Sequence, residues 1–279
     1  GIDLPLLVIH EPAEAKPGVL SVLDPHSLNA GDFIQGEVSA DCGHAAVGYF
    51  EAAIRLCQAD QADGIVTCPI NKEAVHVAGY VGDIGHQEIL ARMTGASSTA
   101  TMLITPGLKV AHLSTHKPLA EAVAFVKAPV IIEKLRLTVR SLEAWGVHEP
   151  VVGVAALNPH GGEGGMLGRE ELDEIIPAVK ACQAEGMQVS GPYPADSIFY
   201  RAVEGEFDVV LALYHDQGHI AIKVHNFEKS VTVTMGIPFV RTSVDHGTAF
   251  DIAGRNMADA RGLLNATTTA VSMLNQELS

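Results

Sequence analysis

Basic residues are scarce in this chain. Lys and Arg number 18 against 33 Asp and Glu, which gives a net charge of −15 and a pI of about 5.2. That excludes nucleic acid or an anionic membrane as the main partner, since both demand a basic face. A small anionic ligand stays open, because a few local cations outweigh a distant field. Cysteine is sparse too. Cys42, Cys57, Cys68 and Cys182 form no C-x-x-C pair and do not read as a disulfide framework, so buried, reduced thiols in a cytoplasmic protein are expected. No apolar run approaches the length of a membrane span. No internal repeat and no low-complexity linker interrupts the chain. Two phosphate-binding signatures are missing as well. The loop NPHGGEGG, Asn158 to Gly165, lacks the terminal Lys-Ser/Thr of a P-loop, and no G-x-G-x-x-G opens a helix with an acidic residue at the usual distance.

What is present suffices for a large folded protein. The 279 residues, 47% hydrophobic and 18% charged, support a sizeable core and either one broad α/β domain or two. Apolar periodicity predicts strands over 4–9, 64–68, 99–105, 108–113, 150–157, 208–214 and 231–235. It predicts helices over 39–62, 70–78, 85–95, 128–145, 170–184 and 258–278. Residues 12–36 read as loop with some extended structure. Alternating helices and strands with long connections describe a mostly parallel, layered α/β architecture with antiparallel pairs around 99–113. Two α/β domains around a cleft are expected, roughly 1–85 with 216–279, and 86–215. The opening residues GIDLPLLVIHEPAEA read as a strand already under way, so a preceding segment is expected to be absent from this sequence.

The stretch Asp208 to Lys223, DVVLALYHDQGHIAIK, organises the rest. Its apolar first half reads as a strand buried on both faces, which ends abruptly in His215, Asp216, Gln217, Gly218 and His219. In open α/β sheets ligands bind beyond the carboxyl ends of strands. His116 after KVAHLSTH and His160 after VVGVAALNPH follow strands in the same manner as His215. Three neutral imidazoles from separate loops suit a borderline divalent cation, and an open coordination position would make the site catalytic. Asp196 and Asp216 are the nearest candidate carboxylate neighbours. Lys223 and Arg241, with His86 at a helix start, are placed to hold a phosphate or carboxylate. The plainer alternatives are solvated surface charges, satisfied loop histidines and, for NPHGGEGG, a mobile surface loop. HGTAFDIAGR, His246 to Arg255, reads as a loop leading into a helix.

In this order, GHQE, STHKPL, LNPHGGEGG, PADS, YHDQGH and RTSVDHGTAFDIAG resemble the 4-hydroxythreonine-4-phosphate dehydrogenase (PdxA) family of vitamin B6 biosynthesis, from about Ala62 to the C-terminus. YHDQGH, with His219, is closer to that family's divergent branch. HGTAFDIAG is similar to the adenosine-binding loop of isopropylmalate and isocitrate dehydrogenases. The resemblance implies a two-domain α/β/α subunit of that fold and a homodimer with a shared active site. It implies a divalent metal (Zn, Mg, Co or Mn) on His116, His160 and His215, one of them from the partner subunit. It further implies substrate contacts from His86, Gln87, Lys223, Thr232 and Arg241, and NAD or NADP against His246, Gly247, Thr248, Ala249 and Asp251. This chain departs from the family at Gln87, where Thr is usual, and at Thr232, where Asn is usual.

The expected reaction is metal-assisted oxidation of a secondary alcohol by NAD(P), with Lys72 or Asp216 as the base and decarboxylation of the resulting β-keto acid. The expected substrate is a phosphorylated hydroxy acid such as 4-phosphohydroxy-L-threonine. Alternatives within the family are D-threonate or D-erythronate 4-phosphate and aromatic cis-dihydrodiols. The alternative from another class is a metal-dependent hydrolase or lyase built on the same histidines.

Overall fold

The computed structural model describes residues 4–25, 28–29, 31, 33–82 and 85–278. The chain divides into two compact units. The first comprises Gly1–Ile65, Pro69–Ser97 and His246–Asp259, and the second Val66–Cys68, Ser98–Asp245 and Ala260–Ser279. Cys57 and Cys182 are buried as expected, whereas Cys42 is half-buried and Cys68 exposed. Among the described residues no helix is long and apolar enough to cross a membrane.

In the first unit, strands β1 (Leu6–Ile9) and β2 (Leu20–Leu23) pair in parallel. Helix α1 (Ala40–Gln58) starts where the Ser39 hydroxyl accepts from Cys42 N, and it buries Val47, Phe50, Ile54 and Cys57 along one stripe. Helix α2 (Lys72–Val77) is capped by the Asn71 side chain, which accepts from Ala74 N at 2.8 Å. The two helices pack closely at Gly43, where a Cβ would stand 2.1 Å from the Ala74 carbonyl oxygen. Helix α3 (His86–Thr94) ends on Gly95 in the left-handed region, as the Gly signal predicts.

The second unit is built on an eight-stranded sheet in the order β3-β10-β9-β4-β5-β8-β6-β7. These strands are β3 (Gly64–Thr67), β4 (Ala100–Thr105), β5 (Leu108–His112), β6 (Val152–Ala155), β7 (Val189–Tyr193), β8 (Val209–Ala212), β9 (Val231–Met235) and β10 (Val240–Val244). The run β5-β8-β6-β7 is parallel. The β4–β5 hairpin around Pro106-Gly107 is antiparallel as expected, and the antiparallel pairing continues through β9 and β10. Helices α4 (Leu119–Ala124), α5 (Ala128–Ala144), α6 (Ile176–Ala184), α7 (Ala195–Val203), α8 (His215–Asn226) and α9 (Arg261–Leu274) complete the unit.

The sheet separates two cores. Met102, Ala111, Leu211 and Val233 face α5, α6 and α9, while Leu103, Val110, Val210 and Ala212 face α7 and α8 with Ile198 and Ile222. The α/β architecture is therefore the one the sequence predicts, layered helix on sheet on helix.

Strands β7 and β10 and helices α4, α7 and α8 escaped the sequence reading. Strands β7 and β10 are short and polar, and α4 is one and a half turns. Helix α8 begins on the histidine cluster itself, so HDQGHIAIKVHN is helical and not a loop. Its first turn lacks a capping side chain and a hydrophobic stripe, the two signals that mark a helix start.

Candidate functional site

Strands β5, β8 and β6 are neighbours and parallel, so their carboxyl ends share one edge of the sheet. His116, His215 and His160 follow these three strands in turn. The rings of His116 and His215 come within 6.0 Å, centroid to centroid. Among the described residues, however, no group of three His, Cys, Asp or Glu side chains is arranged to hold a metal ion. Within one chain, then, two of the three predicted ligands meet and His160 does not complete the set.

His160 and His215 nevertheless share a feature of metal-binding histidines. His215 Nδ1 lies 2.6 Å from Asp216 Oδ1, and His160 Nδ1 lies 2.9 Å from Glu163 Oε1. A carboxylate accepts, so Nδ1 carries the proton in each ring and Nε2 keeps its lone pair for a ligand. Imidazole nitrogens held in this way suit a borderline divalent cation. Asp216, one of the two candidate bases, is thereby engaged in orienting His215.

The glycine-rich loop is held in place. Buried Glu171 accepts from Leu157 N, Asn158 N and Asn158 Nδ2 at 2.7–2.9 Å. From His160 through Gly164 every φ is positive, and the loop winds in the left-handed region. His160 at φ 52° takes a conformation that side chains other than glycine rarely adopt, held by its surroundings.

The antiparallel side of the sheet carries a second feature. Arg241 on β10 is only 3% exposed. Its guanidinium donates to Thr67 Oγ1 at 2.7 Å and Thr234 Oγ1 at 3.1 Å, while its Nε has no partner. No carboxylate pairs with it among the described residues, and burial lowers its pKa to about 10. The register sets Thr234 against Thr101 and Ser243 against Thr232, so opposed side chains share a face. The result is a buried cation among hydroxyls. The sequence named Arg241 as a cation near a strand and Thr232 through the resemblance, and missed Thr67 and Thr234. The alternation VTVTM was the available signal.

Lys223, on α8, makes an ion pair with Asp245 at 2.9 Å. In the first unit, His86 opens α3 and stands edge-on to Phe50 at 4.5 Å, with Gln87 beside it in the first turn. Lys72 begins α2, and its Cε lies 3.7 Å from where a Cβ would stand on Gly85. Also in that unit, His246, Gly247, Thr248 and Ala249 line a cavity of about 980 Å³ with Pro69, Ile252, Ala253 and Met257. Asp251 is exposed and not among the lining residues.

Residues 4–270 match the model of the family described as pyridoxal phosphate biosynthetic protein PdxA. A D-threonate 4-phosphate dehydrogenase of Cupriavidus necator is 44% identical over 269 residues, covering 95% of this chain and 80% of that protein. A 4-hydroxythreonine-4-phosphate dehydrogenase of Beijerinckia indica is 45% identical over 256 residues, covering 92% and 75%. The crystal structure of 4-hydroxythreonine-4-phosphate dehydrogenase from Klebsiella pneumoniae superposes with a TM-score of 0.89 at 38% identity, covering 97% of this chain and 83% of that one.

Proposed function

The chain belongs to the PdxA family, and from that premise we propose that it is a dehydrogenase oxidising the secondary alcohol of a phosphorylated four-carbon hydroxy acid. The observation that carries this reading is Arg241, a buried guanidinium satisfied only by hydroxyls and therefore short of an anion. D-threonate 4-phosphate is the preferred substrate over 4-phosphohydroxy-L-threonine. One observation favours it: Gln87 and Thr232 depart from the biosynthetic pattern at the positions the resemblance assigns to substrate.

When bound, a divalent cation would supply Lewis-acid polarisation of the substrate hydroxyl, and NAD or NADP would accept the hydride. His116 and His215, with His160 from the partner subunit, would hold the cation. Asp216 keeps the proton on His215 Nδ1, so that Nε2 faces outward as a donor. Arg241 and Lys223 hold the anionic ends of the substrate and so orient the reacting carbon, and the family resemblance adds His86 and Gln87 as substrate contacts. Lys72 takes the hydroxyl proton. If the new ketone is β to the carboxylate, carbon dioxide leaves and the adjacent carbon is reprotonated. The 980 Å³ cavity beside His246–Ala249 is of a size to take the dinucleotide.

A homodimer supplies the missing imidazole. The outer face of α7 and α8 supports it: Tyr200, Ile220 and Val224 are exposed by 60–82% around a cavity of about 620 Å³ that reaches Asp216. Apolar surface of this kind beside a half-assembled site suits a second copy of the chain.

The test is a substrate panel with a divalent metal and NAD or NADP, followed by reduced nicotinamide. D-threonate 4-phosphate should give the highest kcat/KM, ahead of D-erythronate 4-phosphate, 4-phosphohydroxy-L-threonine and a cis-dihydrodiol. Hydrolysis or cleavage of these compounds without reduced nicotinamide would place the chain in the hydrolase or lyase class.

A further inference from the structure

Behind His215 stand two more histidines that the proposed reaction does not use. His219 lies one turn along α8, and its ring stacks on His215 at 3.6 Å and 11°. His112 is the last residue of β5 and is 1% exposed. His219 Nδ1 is 3.0 Å from the His215 carbonyl oxygen and 3.1 Å from His112 Nε2. A carbonyl only accepts, so His219 Nδ1 carries the proton and shares it between the two. His112 Nε2 is then an acceptor, and its own proton sits on Nδ1, which is buried beside the backbone of Thr101 and Val110.

Burying a polar ring is costly, and a leucine at this place in the strand would avoid it. The fit around the ring is close. A Cβ at Gly218 would stand 2.3 Å from His112 Nε2, so glycine is what lets α8 approach the imidazole. Burial holds both rings well below the ordinary histidine range, His112 at about 3 and His219 at about 4, so both are neutral at pH 7.

We propose that His112 and His219 are positioning residues for His215. Their hydrogen bond holds the His219 ring flat against His215, and that stack, with Asp216 on the far nitrogen, fixes the direction of His215 Nε2. This rests on the reading of His215 as a metal ligand. Partners of this kind, which orient a liganding imidazole without touching the metal, change metal affinity by about 10–100-fold when removed.

The experiment uses the full chain, metal-free, with 15N-labelled histidine, and cobalt(II) as the probe ion. The variants are His112→Met, unbranched to fit against Gly218, and His112→Gln, whose amide oxygen replaces the Nε2 acceptor. Ring 15N shifts of the unsubstituted protein should show His219 protonated on Nδ1. His112→Met should shift the His215 and His219 ring signals and weaken cobalt binding about tenfold, and His112→Gln should restore both. A merely structural role would lower thermal stability and leave affinity and ring signals alone, which would overturn the proposal. Equal cobalt binding by the unsubstituted protein and His215→Ala would instead remove the metal reading. The ring signals then decide the positioning role alone: unchanged His215 signals in His112→Met overturn it, and shifted signals restored by His112→Gln support it.

Discussion

On the parallel side of the sheet the three candidate ligands lie beyond their strands, His116 after β5, His160 after β6 and His215 after β8. On the antiparallel side the useful groups lie within the strands, Thr232 and Thr234 on β9 and Arg241 and Ser243 on β10. The first arrangement delivers groups to an edge, where a second subunit can add to them. The second sets its side chains within strands, where the ladder locks them in place. One side thus suits the reacting centre and the other suits the anchor.

The sharpest way to break this division is to remove the anchor and leave the edge intact. Arg241→Met is similar in bulk and strips the cation from its hydroxyl nest. It should lower kcat/KM on the order of 100-fold, about 3 kcal/mol, largely through KM, with the circular dichroism spectrum unchanged. A loss confined to kcat would move Arg241 from anchoring to chemistry.

A second comparison is in acid. His112 and His219 lie on the parallel side with folded pKa values of about 3 and about 4, below the ordinary histidine value. Between that ordinary value of about 6.5 and these lower ones the unfolded chain binds more protons than the folded protein. The stability at stake is full above about 6.5 and is lost as pH falls. From pH 7 to pH 5 the metal-free protein should lose about 2 kcal/mol through His112, read from urea midpoints. In His112→Met that part of the loss should vanish, while Arg241→Met should keep it.

The smallest effect belongs to the hydroxyls of the nest. Thr234→Val removes one acceptor from the Arg241 guanidinium and keeps the strand's shape. It should cost about 1–2 kcal/mol of stability, seen as a lower Tm. Loss of the phosphorylated substrate's protection against heat would tie the same hydroxyl to binding.

The same contrast explains what the amino-acid order disclosed. A buried strand that stops at a histidine is visible as a change of character, so DVVLALYH, VVGVAALNPH and KVAHLSTH announced the edge. A buried Arg within VRTSV breaks the apolar pattern that marks a strand, so β10 went unseen although Arg241 was named. Helix α8 was hidden because its first turn is spent on His215, Asp216 and Gln217 in place of a cap and an apolar stripe. The pairing of His112 with His219 spans 107 residues, and only the fold brings them to 3.1 Å. Lys72, His86 and Gln87 belong to the first unit and the imidazole edge to the second. No spacing in the sequence links the two groups.

Mixing two inactive variants tests the central claim most directly. His160→Ala and His215→Ala each remove one imidazole, and each alone should bind no catalytic metal and reduce no nicotinamide. If the cation is held across a two-fold dimer, subunit exchange between them should leave one intact site in each mixed dimer and restore about a quarter of the unsubstituted activity. A mixture as inactive as its components, with both proteins folded and exchanging, would contradict the account.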